Sequence, residues 1–194
     1  MPVKAVIFDM DGTITEPFLD FGWIREQMGM SQDAGPILEA MEHMTPEERC
    51  AAEEILHRCE AEAAEASTLN DGAREAIKWI AGAGILLAVL TRNSRVSADT
   101  VLTKHGLRFD LIRTREDGAI KPSPEPVQVI CRALAVEPAH AWIVGDYLFD
   151  LQSGNAAGAT TVLLWPDAKL PEWHDQADHV VRRLTELIPL LEAS

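Results

Sequence analysis

The feature that most constrains this chain is an alternation. Short, continuously apolar runs take turns with stretches that carry a helical stripe. The runs are residues 3–8, 85–90, 111–113, 141–144 and 160–164, with a weaker sixth at 179–181. Runs without polar alternation are expected where helices cover both faces of a parallel sheet. Between them, Ala73, Ala76, Ile77 and Ile80 recur at helical spacing. Ser94 can cap a helix that runs to Lys104 and stops at Gly106, and residues 124–135 and 150–157 supply two more. This order predicts an α/β fold, a three-layer Rossmann-like parallel sheet core with right-handed crossovers.

One segment interrupts the alternation. Residues 16–69 contain no strand signal and read as helix throughout. Thr45-Pro46-Glu47-Glu48 combines a capping box with Pro at the first helical position. The helix it starts carries Ala52, Ile55, Leu56, Cys59, Ala63 and Ala66 on one face and glutamates on the other. Phe21-Gly22-Trp23-Ile24 and Ile37-Leu38 with Met41 predict two shorter helices before it. The expected organisation is therefore a core of residues 1–15 and 70–194, with an all-helical insert, 16–69, placed after the first strand.

Charge excludes two classes of partner. With 17 Lys+Arg against 31 Asp+Glu the formal net charge is −14. Phosphate-backbone binding needs clustered cations, so nucleic acid is not expected, and neither is an anionic membrane surface. The longest apolar stretch, 80–90, is too short to span a bilayer and contains Gly82 and Gly84. The start of the chain lacks a signal-peptide pattern, so a cytoplasmic location is expected. Three cysteines, Cys50, Cys59 and Cys131, have no framework spacing and read as free thiols, with Cys50 and Cys59 expected in the core.

Four places carry residues suited to chemistry. Asp9-Met10-Asp11-Gly12-Thr13 follows the first strand. Two carboxylates at i and i+2 there can approach one small site, and Gly12 lets the chain turn away. An acidic turn is the plainer alternative, and a calcium loop fits poorly because Gly12 and Thr13 are misplaced for one. Thr91-Arg92-Asn93 stands between the second strand and a helix start, where a hydroxyl and free N–H groups can bind an anion; a simple Ser94 cap explains it nearly as well. Lys121 opens a Pro-rich turn, Lys121-Pro122-Ser123-Pro124-Glu125-Pro126, that either fixes the ammonium or leaves it solvated. Gly145-Asp146-Tyr147-Leu148-Phe149-Asp150 again sets two acids around a strand-to-helix turn, as an acidic helix start would also do. All four lie at C-terminal strand ends or in the loops beyond them. In a parallel sheet those ends share one edge, the usual ligand edge of open α/β folds.

Asp9-x-Asp11-Gly12-Thr13, Thr91, Lys121 and Gly145-Asp146-x-x-x-Asp150 resemble, in order, the four motifs of the haloacid dehalogenase superfamily. The insert lies where subfamily I members such as phosphoglycolate phosphatases place a small helical C1 cap. The resemblance implies phosphoryl transfer through an aspartyl-phosphate: Asp9 as nucleophile, Asp11 as acid and base, and Lys121 neutralising phosphate and holding Asp9. Thr91, with backbone N–H groups near Arg92 and Asn93, would bind phosphate. The implied cofactor is Mg²⁺, held by Asp9, Asp146 and the Asp11 carbonyl, with Asp150 as a ligand or an anchor. Dehalogenases of the family lack an acid at the position of Asp11, so dehalogenation is not expected. A phosphatase acting on a small phosphorylated metabolite is expected; a phosphomutase of the β-phosphoglucomutase type and a non-catalytic binding module are the alternatives.

Further readings concern single residues. Gly82-Ala83-Gly84 precedes a strand and lacks the third glycine, so it is no dinucleotide fingerprint. Gly154 and Gly158 would allow close helix packing, and Pro189 would interrupt the last helix. His174 and His179 flank Asp175 and Asp178 as a metal group or, more simply, a surface loop. In the cap, Arg25 and Arg58 are candidates for substrate specificity, because they stand in a segment with 13 acids and only one other cation, Arg49. A surface ion pair between Glu54 and Arg58 is the competing explanation.

Overall fold

The computed structural model describes residues 2–194. Six parallel strands form one sheet: β1 (Ala5–Phe8), β2 (Leu86–Leu90), β3 (Leu111–Arg113), β4 (Ala141–Gly145), β5 (Thr160–Leu164) and β6 (His179–Val181). Their order is β3-β2-β1-β4-β5-β6, so the chain reverses direction across the sheet between β1 and β4. The helices between strands are α4 (Ala73–Gly82), α5 (Arg95–His105), α6 (Glu125–Ala133) and α7 (Leu148–Ala157), and α8 (Leu187–Glu192) closes the chain. Every residue of β1 is buried because apolar clusters form on both faces. Val6, Phe8, Val89 and Val144 pack with Ile80 and Leu184 on one face, and Ile7, Ala88 and Ile143 with Val127 and Ile130 on the other. This is the expected Rossmann-like α/β core, and even the weak sixth strand forms.

Helices α1 (Phe21–Gln27), α2 (Ile37–Met41) and α3 (Pro46–Ala66) lie between β1 and α4. They hold a cluster of their own, Ile24, Ile37, Met41, Ala52, Leu56 and Cys59. Thr45 starts α3 with the expected reciprocal capping box. The connections into and out of these helices run side by side. Thr15 pairs with Leu69, the Glu16 N–H donates to Thr68 O at 3.0 Å, and Asn70 N–H to Ile14 O at 3.0 Å.

Some local expectations change. Cys50 is exposed, because it falls one residue off the buried stripe of α3. Gly154 does allow close packing: a Cβ there would lie 2.3 Å from Ile143 Cγ2. Gly158 instead ends α7 in the left-handed conformation at φ 83°. Pro189 sits in the first turn of α8, where no intrahelical N–H is needed, so it starts this helix rather than breaking it. No helix of the described residues is long and apolar enough to cross a membrane.

Candidate active site

The sheet edge at the C-terminal ends of β1, β2 and β4 assembles the site. The Asp9 N–H donates to Val144 O at 2.9 Å, which carries the β1–β4 pairing one residue past the strand. The chain then turns at Gly12, with φ +82°, and a Cβ there would meet Asp146 Oδ2 at 2.2 Å. Two neighbours fix this loop: Thr13 Oγ1 donates to Asp146 Oδ1 at 3.1 Å, and Asn70 Nδ2 to Gly12 O at 3.0 Å. Gly145 is constrained the same way, since a Cβ would collide with Asp150 Cγ at 2.1 Å. Glycine at both positions is thus required by carboxylates pressed against the backbone.

Lys121 joins the acids. Its buried Nζ donates to Asp9 Oδ1 at 2.5 Å and to Asp150 Oδ1 at 2.6 Å. Asp150 also accepts from the Tyr147 N–H at 3.2 Å, so both its oxygens are engaged. Thr91 is buried at the end of β2, and its Oγ1 accepts from the Asn93 N–H at 3.1 Å. Ser94 caps α5 as expected.

Electrostatics follow from burying these groups together. Burial drives the Asp11 carboxyl up to about 7, with Asp9 adding to the rise and the Phe18 main chain opposing it. Burial, then Asp9 and Asp150, hold Asp146 well above the carboxylate range. Asp150 rises to about 6 through burial, which Lys121 partly offsets. Burial alone would lower Lys121, but Asp150 and Asp9 outweigh it and keep the ammonium charged. Asp9, Asp146 and Asp150 bring carboxylate oxygens within 4.8 Å of one another. Such a mutually repelling oxygen set fits a hard divalent cation, and Asp9 and Asp146 are its freer members.

Residues 25–164 match the family model described as haloacid dehalogenase-like hydrolase. The chain belongs to that family. It is an enzyme of these hydrolases, and its relatives include named phosphatases. A hydrolase of Saccharomyces cerevisiae is 31% identical over 98% of this chain and 91% of its own length. The N-acetylmuramic acid 6-phosphate phosphatase of Pseudomonas aeruginosa is 27% identical over 99% of this chain and 96% of its own. Among solved structures, one described as a predicted phosphoglycolate phosphatase from Haemophilus somnus superposes with a TM-score of 0.79. It is 20% identical, covers 97% of each chain, and speaks to the fold.

In this hydrolase the acids open into a cavity of about 410 Å³. Asp9, Asp11, Thr91, Lys121, Asp146 and Asp150 form its floor, while Leu19, Phe21, Ile37, Leu38 and Leu56 from the inserted segment supply an apolar roof. Arg25 lines the roof, held by Gly35 O at 3.1 and 3.0 Å and by Phe21 O at 3.1 Å. Arg58 lies on the exposed face of α3, outside the cavity lining, and the i,i+4 ion pair of that helix is Arg49–Glu53. Asn93 lines the cavity. The Arg92 side chain turns toward the inserted helices: it pairs with Glu39 at 2.6 Å, donates to Lys121 O at 2.6 Å, and lies over the Phe149 ring. Among the described residues His174 and His179 belong to no cluster of metal-ligating side chains; His174 Nδ1 contacts Pro171 O and His179 stacks on Trp142. Sequence reasoning missed Glu60, a buried acid lining the same cavity. Its signal was its place on the apolar stripe of α3, four residues after Leu56.

Proposed function

We propose that this hydrolase is a Mg²⁺-dependent phosphatase that acts on a small phosphorylated metabolite through an aspartyl-phosphate on Asp9, with residues 16–69 serving as its cap. The observation that carries the reading is the meeting of Asp9, Asp11, Thr91 and Lys121 in one cavity, with Lys121 Nζ 2.5 Å from Asp9 Oδ1. Asp9 and Asp146, with the Asp11 main-chain carbonyl, would hold Mg²⁺, which when bound offsets the repulsion between carboxylate and phosphate. Asp150, bonded to Lys121 and the Tyr147 N–H, anchors the lysine rather than serving as the main ligand.

Lys121 orients the Asp9 carboxylate for attack. An Asp9 oxygen forms a bond to phosphorus as the bond to the leaving oxygen breaks, and protonated Asp11 gives that oxygen its proton. Burial favours the protonated form of Asp11, the form this step uses. Asp11, now a carboxylate, takes a proton from the water that attacks phosphorus, and Asp9 leaves. The Thr91 hydroxyl and the main-chain N–H of Arg92, at the start of the loop through Asn93, would bind phosphoryl oxygens with prearranged donors. The apolar roof favours leaving groups with an apolar face, and Arg25, the cap cation in the cavity lining, would select among them. The acidic surface argues against nucleic-acid and anionic-membrane partners, and a cytoplasmic location belongs to this reading.

The test is phosphate release from p-nitrophenyl phosphate with added Mg²⁺. Turnover that disappears with EDTA and in Asp9→Asn is expected. Equal rates in wild type and Asp9→Asn, on this and on a panel of phosphoesters, would refute the reading.

A further inference from the structure

Glu60 is the one glutamate of α3 that is buried; Glu47, Glu48, Glu53, Glu54, Glu62 and Glu65 are all exposed. A carboxylate removed from water needs charged or hydrogen-bonding partners. Glu60 finds them in the core, not in the cap. Its Oε2 accepts from the Ser94 N–H at 3.1 Å, and its Oε1 pairs with Arg115 Nη1. Arg115 in turn grips the same loop twice, Nη1 donating to Arg92 O at 3.2 Å and its main-chain N–H to Asn93 O at 3.4 Å. Residues 92, 93 and 94 are therefore each held by Glu60 or by the arginine it neutralises. These residues directly follow Thr91 and form the loop to which phosphate binding is assigned above.

We infer that Glu60 is a positioning residue: from the cap, it sets the shape of the Thr91–Arg92–Asn93 phosphate loop through Ser94 and Arg115. This inference rests on the phosphatase reading. Its consequence is that the donors of the loop are in order only when α3 is docked on the core. Cap docking and phosphate binding are then two sides of one equilibrium. Preorganised donors lose their effect when their support loosens, even if they remain present.

Acetyl phosphate tests this in the Mg²⁺-loaded enzyme, since its leaving group is small and needs no proton from Asp11. Inorganic phosphate serves as the competing inhibitor. Glu60→Ala should lower kcat/KM for acetyl phosphate about 10- to 100-fold, the range expected when a hydrogen bond to a charged group is lost. It should raise the inhibition constant of phosphate by a similar factor. Glu60→Gln, which can still accept from Ser94, should recover most of the loss, and exposed Glu54→Ala should match wild type. Arg115→Ala added to Glu60→Ala should cost little more than Glu60→Ala alone, because both act through one loop. An unchanged phosphate inhibition constant in Glu60→Ala, with only a lower Tm, would overturn the inference. So would fully additive losses in the double variant. If Glu60→Ala does not fold, Arg115→Ala is read in its place, and phosphate inhibition equal to wild type in that variant overturns the inference. Wild type that neither turns over acetyl phosphate nor binds phosphate would refute the phosphatase reading itself.

Discussion

At the scale of single residues, the site is governed by carboxylates that share too little space. Asp11 and Asp150 sit at about 7 and about 6 against an ordinary 3.8, so the folded chain binds these protons more tightly than the unfolded chain does. Their drag on stability is absent at low pH and grows as pH rises from about 4 to about 7. In EDTA, Asp11→Asn should therefore gain Tm over wild type progressively between about pH 4 and about pH 7 and level off above that; a constant offset would show that Asp11 does not titrate there. Gly12→Ala and Gly145→Ala should each lose activity more than stability. Each Cβ displaces a site carboxylate, Asp146 in one case and Asp150 in the other. At least about 100-fold lower kcat/KM is expected, the scale of losing one preorganised group. Wild-type kinetics in either variant would show that the loop yields without disturbing the acids. The paired acids and Lys121 were legible in the sequence because each follows a strand end. Glu60 was not, because its partners Ser94 and Arg115 are 34 and 55 residues away and only the fold brings them together.

At the scale of elements, apolar periodicity was a reliable guide wherever burial and local chemistry agree. β3 and β5 have the expected limits, 111–113 and 160–164, and α5 has the expected caps at Ser94 and Gly106. Exceptions arose where one residue type serves two purposes. Gly154 and Gly158 look alike in sequence, yet one lets α7 touch β4 and the other reverses the chain. Gly154→Ala should cost about 1–3 kcal/mol by overpacking against Ile143 and Thr161. Denaturant titration measures it, and a shift below about 0.5 kcal/mol, the scatter of surface changes, would show that α7 can move away. Thr45→Ala removes the capping box of α3 and should cost about 1 kcal/mol. That is roughly 2–4 °C in Tm for a chain of this length, with no change in kcat on p-nitrophenyl phosphate.

At the scale of the whole molecule, charge is unevenly spread. Residues 16–69 hold 13 acids against three arginines, a net of −10 within the total of −14. Most of that acidity is solvated surface, whereas Arg25 lies in the cavity lining. Once a screen of phosphorylated metabolites names the preferred substrate, Arg25→Ala should lower kcat/KM for it while leaving p-nitrophenyl phosphate within about twofold, as expected for a group that binds only the leaving part. Equal loss on both would refute a specificity role. The paired connections at Thr15 and Leu69 have a different consequence. The core meets the whole insert as a single closed loop whose ends are already together. Lengthening a flexible loop of this kind costs only about 0.6 kcal/mol per doubling. The α/β core can therefore host an insert of quite another size at this junction. Ala64 and Leu69 pack in the core cluster, so an insert of another size must still end on residues that fill their places, while the helices before them change the roof of the cavity.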